Sequence, residues 1–251
     1  MELDLHYVEP RLVQLYDTDN PLGIDSEFYM QLADELEAKT IIDLGCGTGL
    51  LTRELAKDGR RVIGVEPAAQ MIDHGKKQLG ADRVEWVLGD AGHLKALTQL
   101  SGDLGIMTGN VAQVFVDDAD WQATLGHLAN ALKPGSTLAF ESRNPVAKGW
   151  ERWNKEETYD IQQTPFGPLE SWLDLVEVGE NQRTVKFKAT NIFQETDETL
   201  VGESELRFRT AGEITLTLQQ AGFSVERIYG NWEKKPFEPA DPVMVFVTQK
   251  N

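Results

Sequence analysis

Thr40-Ile41-Ile42-Asp43-Leu44-Gly45-Cys46-Gly47-Thr48-Gly49-Leu50-Leu51 decides how the chain is read. Apolar residues run straight into a turn holding three glycines. Leu51 and Leu55 then share one face of a helical pattern, with Arg53, Lys57 and Asp58 largely off it. That order is a buried strand, a tight turn and a helix start. Glycine accepts positive φ and lets a ligand approach the bare backbone. The first amides of the helix have no intrahelical partner. The turn is therefore a candidate ligand cradle.

A dinucleotide site asks for Gly-x-Gly-x-x-Gly, so that a pyrophosphate rests on the helix N-terminus. The spacing here is Gly45-x-Gly47-x-Gly49, and Leu50 stands where that pattern wants glycine. Asp43 ends the strand; an acid there repels a pyrophosphate but accepts from an amino group, directly or through water. A ligand with an amino-acid end is favoured over NAD. On these residues, Ile42 to Gly49 resembles motif I of the class I S-adenosylmethionine (SAM) dependent methyltransferases. The resemblance implies a Rossmann-like α/β three-layer sandwich with a mostly parallel seven-stranded sheet whose last strand is antiparallel. It also implies that Asp43, Gly45, Cys46, Gly47, Thr48 and Gly49 meet the cofactor.

The chain has 251 residues, 41% hydrophobic and 26% charged, as expected of a globular protein of one large domain or one domain with an insertion. Its net charge of −17 argues against nucleic acid and against anionic membrane surfaces. One cysteine, Cys46, leaves no intrachain disulfide and no multi-cysteine zinc site, which fits a cytoplasmic protein. The start Met1-Glu2-Leu3-Asp4 is acidic, so no signal peptide or anchor is expected.

Along the chain, Tyr16-Asp17-Thr18-Asp19-Asn20-Pro21 reads as turn-rich. A helix follows from about Ser26, capped by Ser26 or Asp25, with Phe28, Tyr29, Leu32, Ala33 and Leu36 at helical spacing. The resemblance implies that helices here cover the cofactor, which makes Tyr16 and Tyr29 candidates to face cofactor or substrate; core packing is the competing reading. Arg61 to Val65 is a second strand ending at Glu66, whose carboxylate can accept from vicinal ribose hydroxyls. The family likeness gives Glu66 that role and brings Pro67 and Met71 near the adenosine. Val84 to Leu88 is the third strand. The resemblance puts Gly89, Asp90 and Ala91 at the adenine, with Asp90 accepting from its amino group. The fourth strand, Asp103 to Thr108, leads into Gly109-Asn110-Val111-Ala112-Gln113, and the likeness sets Thr108 and Asn110 beside the transferred methyl. A helix from Asp117 or Asp118 is stopped by Lys133-Pro134-Gly135, and Thr137 to Phe140 is the fifth strand.

After Glu141-Ser142-Arg143 the pattern changes. Residues 169–178, 184–193 and 203–209 alternate apolar and polar, with Gly179-Glu180-Asn181 as one of the turns. This is an antiparallel β insertion with one buried face. The chain thus divides into a helical cover and cofactor core over 1–142, a substrate or lid subdomain over 143–210, and a completion of the core sheet over 211–251. The insertion could instead pair with a second copy as a homodimer. Candidate acceptor-side residues are Arg143, which could hold a carboxylate or phosphate, and the aromatics Trp150 and Trp153. His93 is available as a base but is expected to face solvent, and no catalytic residue is singled out. The expectation is a SAM-dependent methyltransferase acting on a small-molecule acceptor, against a SAM-binding regulatory module or, more distantly, a NAD-dependent oxidoreductase.

Overall fold

The computed structural model describes residues 3–97, 100–180 and 183–251. Met1, Glu2 and Asn181 of the expected turn lie outside them. Two short helices, α1 (Leu5–Val8) and α2 (Pro10–Asp19), precede α3 (Ile24–Glu35). The core then runs β1 (Thr40–Leu44), α4 (Leu50–Leu55), β2 (Arg61–Glu66), α5 (Ala69–Gly75), β3 (Val84–Leu88), β4 (Gly102–Met107), α6 (Asp118–Ala131) and β5 (Leu132–Arg143). The inserted part holds α7 (Lys155–Thr158), β6 (Asp160–Thr164), β7 (Gly167–Val178), β8 (Thr184–Phe193) and β9 (Glu198–Arg207). α8 (Ala211–Gln220), β10 (Phe223–Tyr229) and β11 (Val243–Lys250) return to the core.

The main sheet has seven strands in the order β10-β11-β5-β4-β1-β2-β3. β1 to β5 pair parallel, and β11 runs antiparallel to both β5 and β10. Chain order reverses between β1 and β4, so the loops leaving their carboxyl ends flank the crevice where such sheets take ligands. Strand alternation supplies both faces of the core. Phe140 and Phe246 pack with Trp121, Leu125 and Leu218 of α6 and α8, while Ala139 and Val245 pack with Phe28, Leu32 and Leu55 of α3 and α4. Helices on both faces of one sheet give three layers.

The second sheet is antiparallel, in the order β6-β7-β8-β9. Its apolar face is covered at one end by Leu12 and Leu15 of α2, which meet Leu169 and Phe193, and at the other by Trp150, which meets Val185 and Phe208.

Several boundaries differ from those expected. The supposed turn at Tyr16 belongs to α2, which starts at Pro10 because the Glu9 carboxylate caps the amides of Arg11 and Leu12. α3 begins after Gly23, with no side-chain cap, so Asp25 and Ser26 lie inside its first turn. Lys133-Pro134-Gly135 lies within β5 rather than between helix and strand, in the irregular stretch between the Leu132 and Thr137 pairings with β4. The insertion has four strands, since polar β6 lacks the alternation that marked the others, and the last spans Glu198–Arg207 rather than 203–209. No helix among the described residues is long and apolar enough to cross a membrane.

Candidate functional site

The three glycines after β1 all adopt left-handed φ: 76° at Gly45, 57° at Gly47 and 73° at Gly49. A Cβ on Gly45 would lie 2.4 Å from Val111 Cγ2, and one on Gly49 2.3 Å from Trp86 Cη2. Those two are glycine because the protein itself fills the space. Gly47 is different, since a Cβ there would meet only Met71 Cε at 3.3 Å and Tyr16 Cε1 at 3.5 Å. Gly47 is thus the bare backbone under the helical cover. The Cys46 thiol turns beneath the loop toward Gly64, and burial, with Asp43 and Glu66 nearby, pushes its pKa well up. The Thr48 hydroxyl donates to Asp17 of α2, and Arg53 donates to the Thr48 carbonyl at 2.6 Å and to Asp17 at 3.3 Å. The cover is tied to the loop it covers.

Asp43 is 1% exposed. One of its oxygens accepts from the Thr52 hydroxyl at 2.6 Å, and the other, Oδ1, has no partner. Burial raises its pKa to about 7, with Thr52 opposing and the charges of Glu66 and Glu141 adding to the rise. A buried carboxylate oxygen without a donor is costly; an ammonium group would satisfy it. Glu66 accepts from the Gly47 amide at 3.0 Å and the Ala68 amide at 2.9 Å, one bond to each oxygen. Each oxygen keeps a lone pair for a hydroxyl. Burial raises the Glu66 pKa as well, against those two backbone bonds.

Pro67 is exposed ahead of α5, and Met71 is buried with Val13 and Ala68 beneath Tyr16. Gly89 brings the chain from β3 past Glu66, donating to its carbonyl at 3.0 Å. Asp90 is exposed and caps a short 3-10 segment through the Gly92 amide and His93, while Ala91 is buried in the core. His93 faces solvent in that cap. Thr108 is half-buried after β4, and Asn110 has φ 63° and a buried, unpartnered Oδ1.

Sequence reasoning missed the residue that joins these parts. Glu141, at the end of β5, accepts from the Asn110 amide at 2.7 Å and from the Tyr29 hydroxyl. Its pKa is raised by burial, with both of those bonds opposing. Tyr29 is fully buried in this pair and offers a substrate no surface. Arg143, two residues on and on the same face of the strand, donates to Gln113 Oε1 at 3.0 Å and lies 5.8 Å from the Trp153 ring. Trp153 packs on Phe187 and Phe208. Trp150 is 2% exposed, with its ring 4.6 Å from Phe208, and is brought into the insertion's core rather than to the crevice. A polar residue closing a strand at the crevice edge was the signal available for Glu141; nothing local marked Gln113 or Asp17.

Residues 41–135 match the family described as methyltransferase domain. The malonyl-[acyl-carrier protein] O-methyltransferase of Yersinia pestis is 30% identical over 128 residues, 49% of this chain and 45% of that protein. Residues 41–135 carry a methyltransferase domain, and over that region the chain is similar in sequence to known methyltransferases. The cypemycin N-terminal methyltransferase of a Streptomyces species is 34% identical over 115 residues, 44% of each chain. The alignments thus span somewhat under half the length of these relatives. The domain's fold extends further: the CcbJ methyltransferase of Streptomyces caelestis superposes with a TM-score of 0.80 over 97% of this chain and 98% of its own, at 18% identity. A SAM-dependent methyltransferase of Clostridium acetobutylicum gives 0.79 over 97% and 99%, at 14% identity.

Proposed function

We propose that the protein transfers a methyl group from SAM to a small-molecule acceptor bound between the sheet edge and the β insertion. The observation that carries this is the unpartnered Oδ1 of Asp43, a buried acid at the end of the first strand. It fits a ligand bearing an ammonium group and opposes a pyrophosphate. SAM supplies, when bound, an electrophilic methyl on a sulfonium. The chain's own part is to bind, orient and keep water out. Asp43 would accept from the amino-acid end, Glu66 from the ribose hydroxyls, and Asp90 from the adenine amino group. Gly47 offers bare backbone, and Tyr16 and Met71 close over it. Glu141 holds the Asn110 backbone in its left-handed turn and so fixes the loop beside the methyl. Three buried acids, Asp43, Glu66 and Glu141, form no ion pair among the described residues, so the edge is electrostatically prepared for a cation.

Calorimetric titration with S-adenosylhomocysteine, against NADH as control, tests the reading. Binding of the former alone is expected, weakened roughly 10–100-fold in folded Asp43→Asn and Glu66→Gln variants through lost charged hydrogen bonds. Binding of NADH alone, or of neither, overturns it.

A further inference from the structure

Arg143 differs from the other arginines that are withdrawn from solvent among the described residues. Arg11, Arg53, Arg207 and Arg209 each pair with a carboxylate. Arg143 forms no ion pair among the described residues of a chain with 41 acids, although it is half-buried at the crevice edge. The nearest acid, Glu141, spends its oxygens on Tyr29 and Asn110. Among the described residues the guanidinium makes one hydrogen bond, to Gln113 Oε1. A guanidinium has five donors and no acceptor, so the amide oxygen must face it and the amide nitrogen must point elsewhere. That nitrogen, on a side chain with 0% exposure, has no partner. Guanidinium and amide therefore stand side by side with donors left over, bordered by Trp153 of the insertion.

We propose, building on the methyltransferase reading, that the methyl acceptor carries a carboxylate and that Arg143 and the Gln113 amide bind it. A planar carboxylate matches the guanidinium fork. One cation suits a single negative charge; a phosphate dianion would sit near Glu141 with too little to neutralise it. The Trp153 ring gives the organic part of the acceptor an apolar wall.

The test uses protein saturated with S-adenosylhomocysteine, whose binding is measured first so that failure of the cofactor reading is seen separately. Glycine and glycinamide, 4-hydroxybenzoate and 4-hydroxybenzamide, and methyl phosphate are then titrated by calorimetry. At least one acid is expected to bind roughly 10–100-fold more tightly than its amide, as for a charged hydrogen-bonded pair. Arg143→Gln should abolish the preference and Arg143→Lys should retain part of it. Gln113→Glu supplies an internal carboxylate to the guanidinium, so it should abolish acid binding while the thermal midpoint holds or rises. The proposal is overturned by equal binding of acids and amides, no binding of any acid, tighter binding of methyl phosphate than of every carboxylate, or an acid preference that survives in both Arg143→Gln and Gln113→Glu. A loss of S-adenosylhomocysteine affinity in Arg143→Gln with the acid preference unchanged would assign the guanidinium to the cofactor's own carboxylate, and would also overturn it.

Discussion

The two sides of the crevice are built on different plans. On the cofactor side, chemistry is carried by backbone turns and strand-end acids: Asp43, the glycine loop and Glu66 lie within 24 consecutive residues. The side proposed for the acceptor is instead assembled from side chains far apart in the chain: Gln113 meets Arg143 across 30 positions, and behind them Tyr29 meets Glu141 across 112. The first plan fixes a ligand common to many enzymes, because a turn and its φ angles leave little freedom. The second can change one side chain at a time.

Trp150→Ala separates the two sides most strongly. It empties the centre of the insertion's core and should cost about 3–5 kcal/mol in denaturant unfolding. S-adenosylhomocysteine affinity in the fraction still folded should stay within about twofold, since distant sites act independently. A large loss of affinity would show that the sides are one cooperative unit.

Gly49→Ala attacks the other side. Its new methyl would meet Trp86 at 2.3 Å on a left-handed backbone. Overpacking and the unfavourable φ together should destabilise the fold by roughly 2–4 kcal/mol in the same assay. Gly47→Ala has similar φ but more room, so it should cost less stability and more cofactor affinity.

The pH dependence should be specific to the cofactor side. Asp43 titrates at about 7 in the ligand-free fold, against 3.8 for an ordinary aspartate. A raised acid favours the folded state while protonated, so this stabilisation is complete below 3.8 and lost as pH rises through about 7. Ligand ammonium prefers the ionised form. S-adenosylhomocysteine affinity should therefore rise with pH, by up to about tenfold per unit below neutrality, and level off above. Calorimetry across that range should show the slope in the parent and not in Asp43→Asn.

The smallest effect is expected on the outer face of the insertion. Lys188 and Glu203 are exposed and 3.7 Å apart. Lys188→Gln should change stability by less than about 0.5 kcal/mol and leave binding untouched.

This contrast also explains what the sequence made legible. The first five strands of the main sheet followed from apolar runs punctuated by glycine and by strand-end acids, all local signals, while the count of seven came from the resemblance. β6 escaped because an edge strand such as Asp160–Thr164 buries little and need not alternate. α2 was obscured by polar residues at its end, where Asp17 is retained for Thr48 and Arg53 rather than for helix propensity. Trp150 and Tyr29 looked like pocket aromatics because composition does not say which side of a wall a ring occupies. Gln113 carried no pattern and Glu141 only its place at a strand end, for their roles exist only once β4 and β5 lie side by side.

The insertion leaves the core at Arg143 and re-enters at Arg209, and both arginines grip the same short stretch after β4. Arg143 holds Gln113; Arg209 donates to the Phe115 carbonyl at 2.9 Å and to Asp118 at 2.8 Å. None of the pairings of the seven-stranded sheet uses residues 145–208. The insertion is thus a cassette on a narrow stem. If the insertion selects the acceptor, as proposed, a lineage could exchange it while inheriting the donor machinery; the first two helices, which meet it through Leu12, Leu15, the Arg11–Glu198 ion pair and the Gln162–Asp19 bond, would have to find a new surface to rest on.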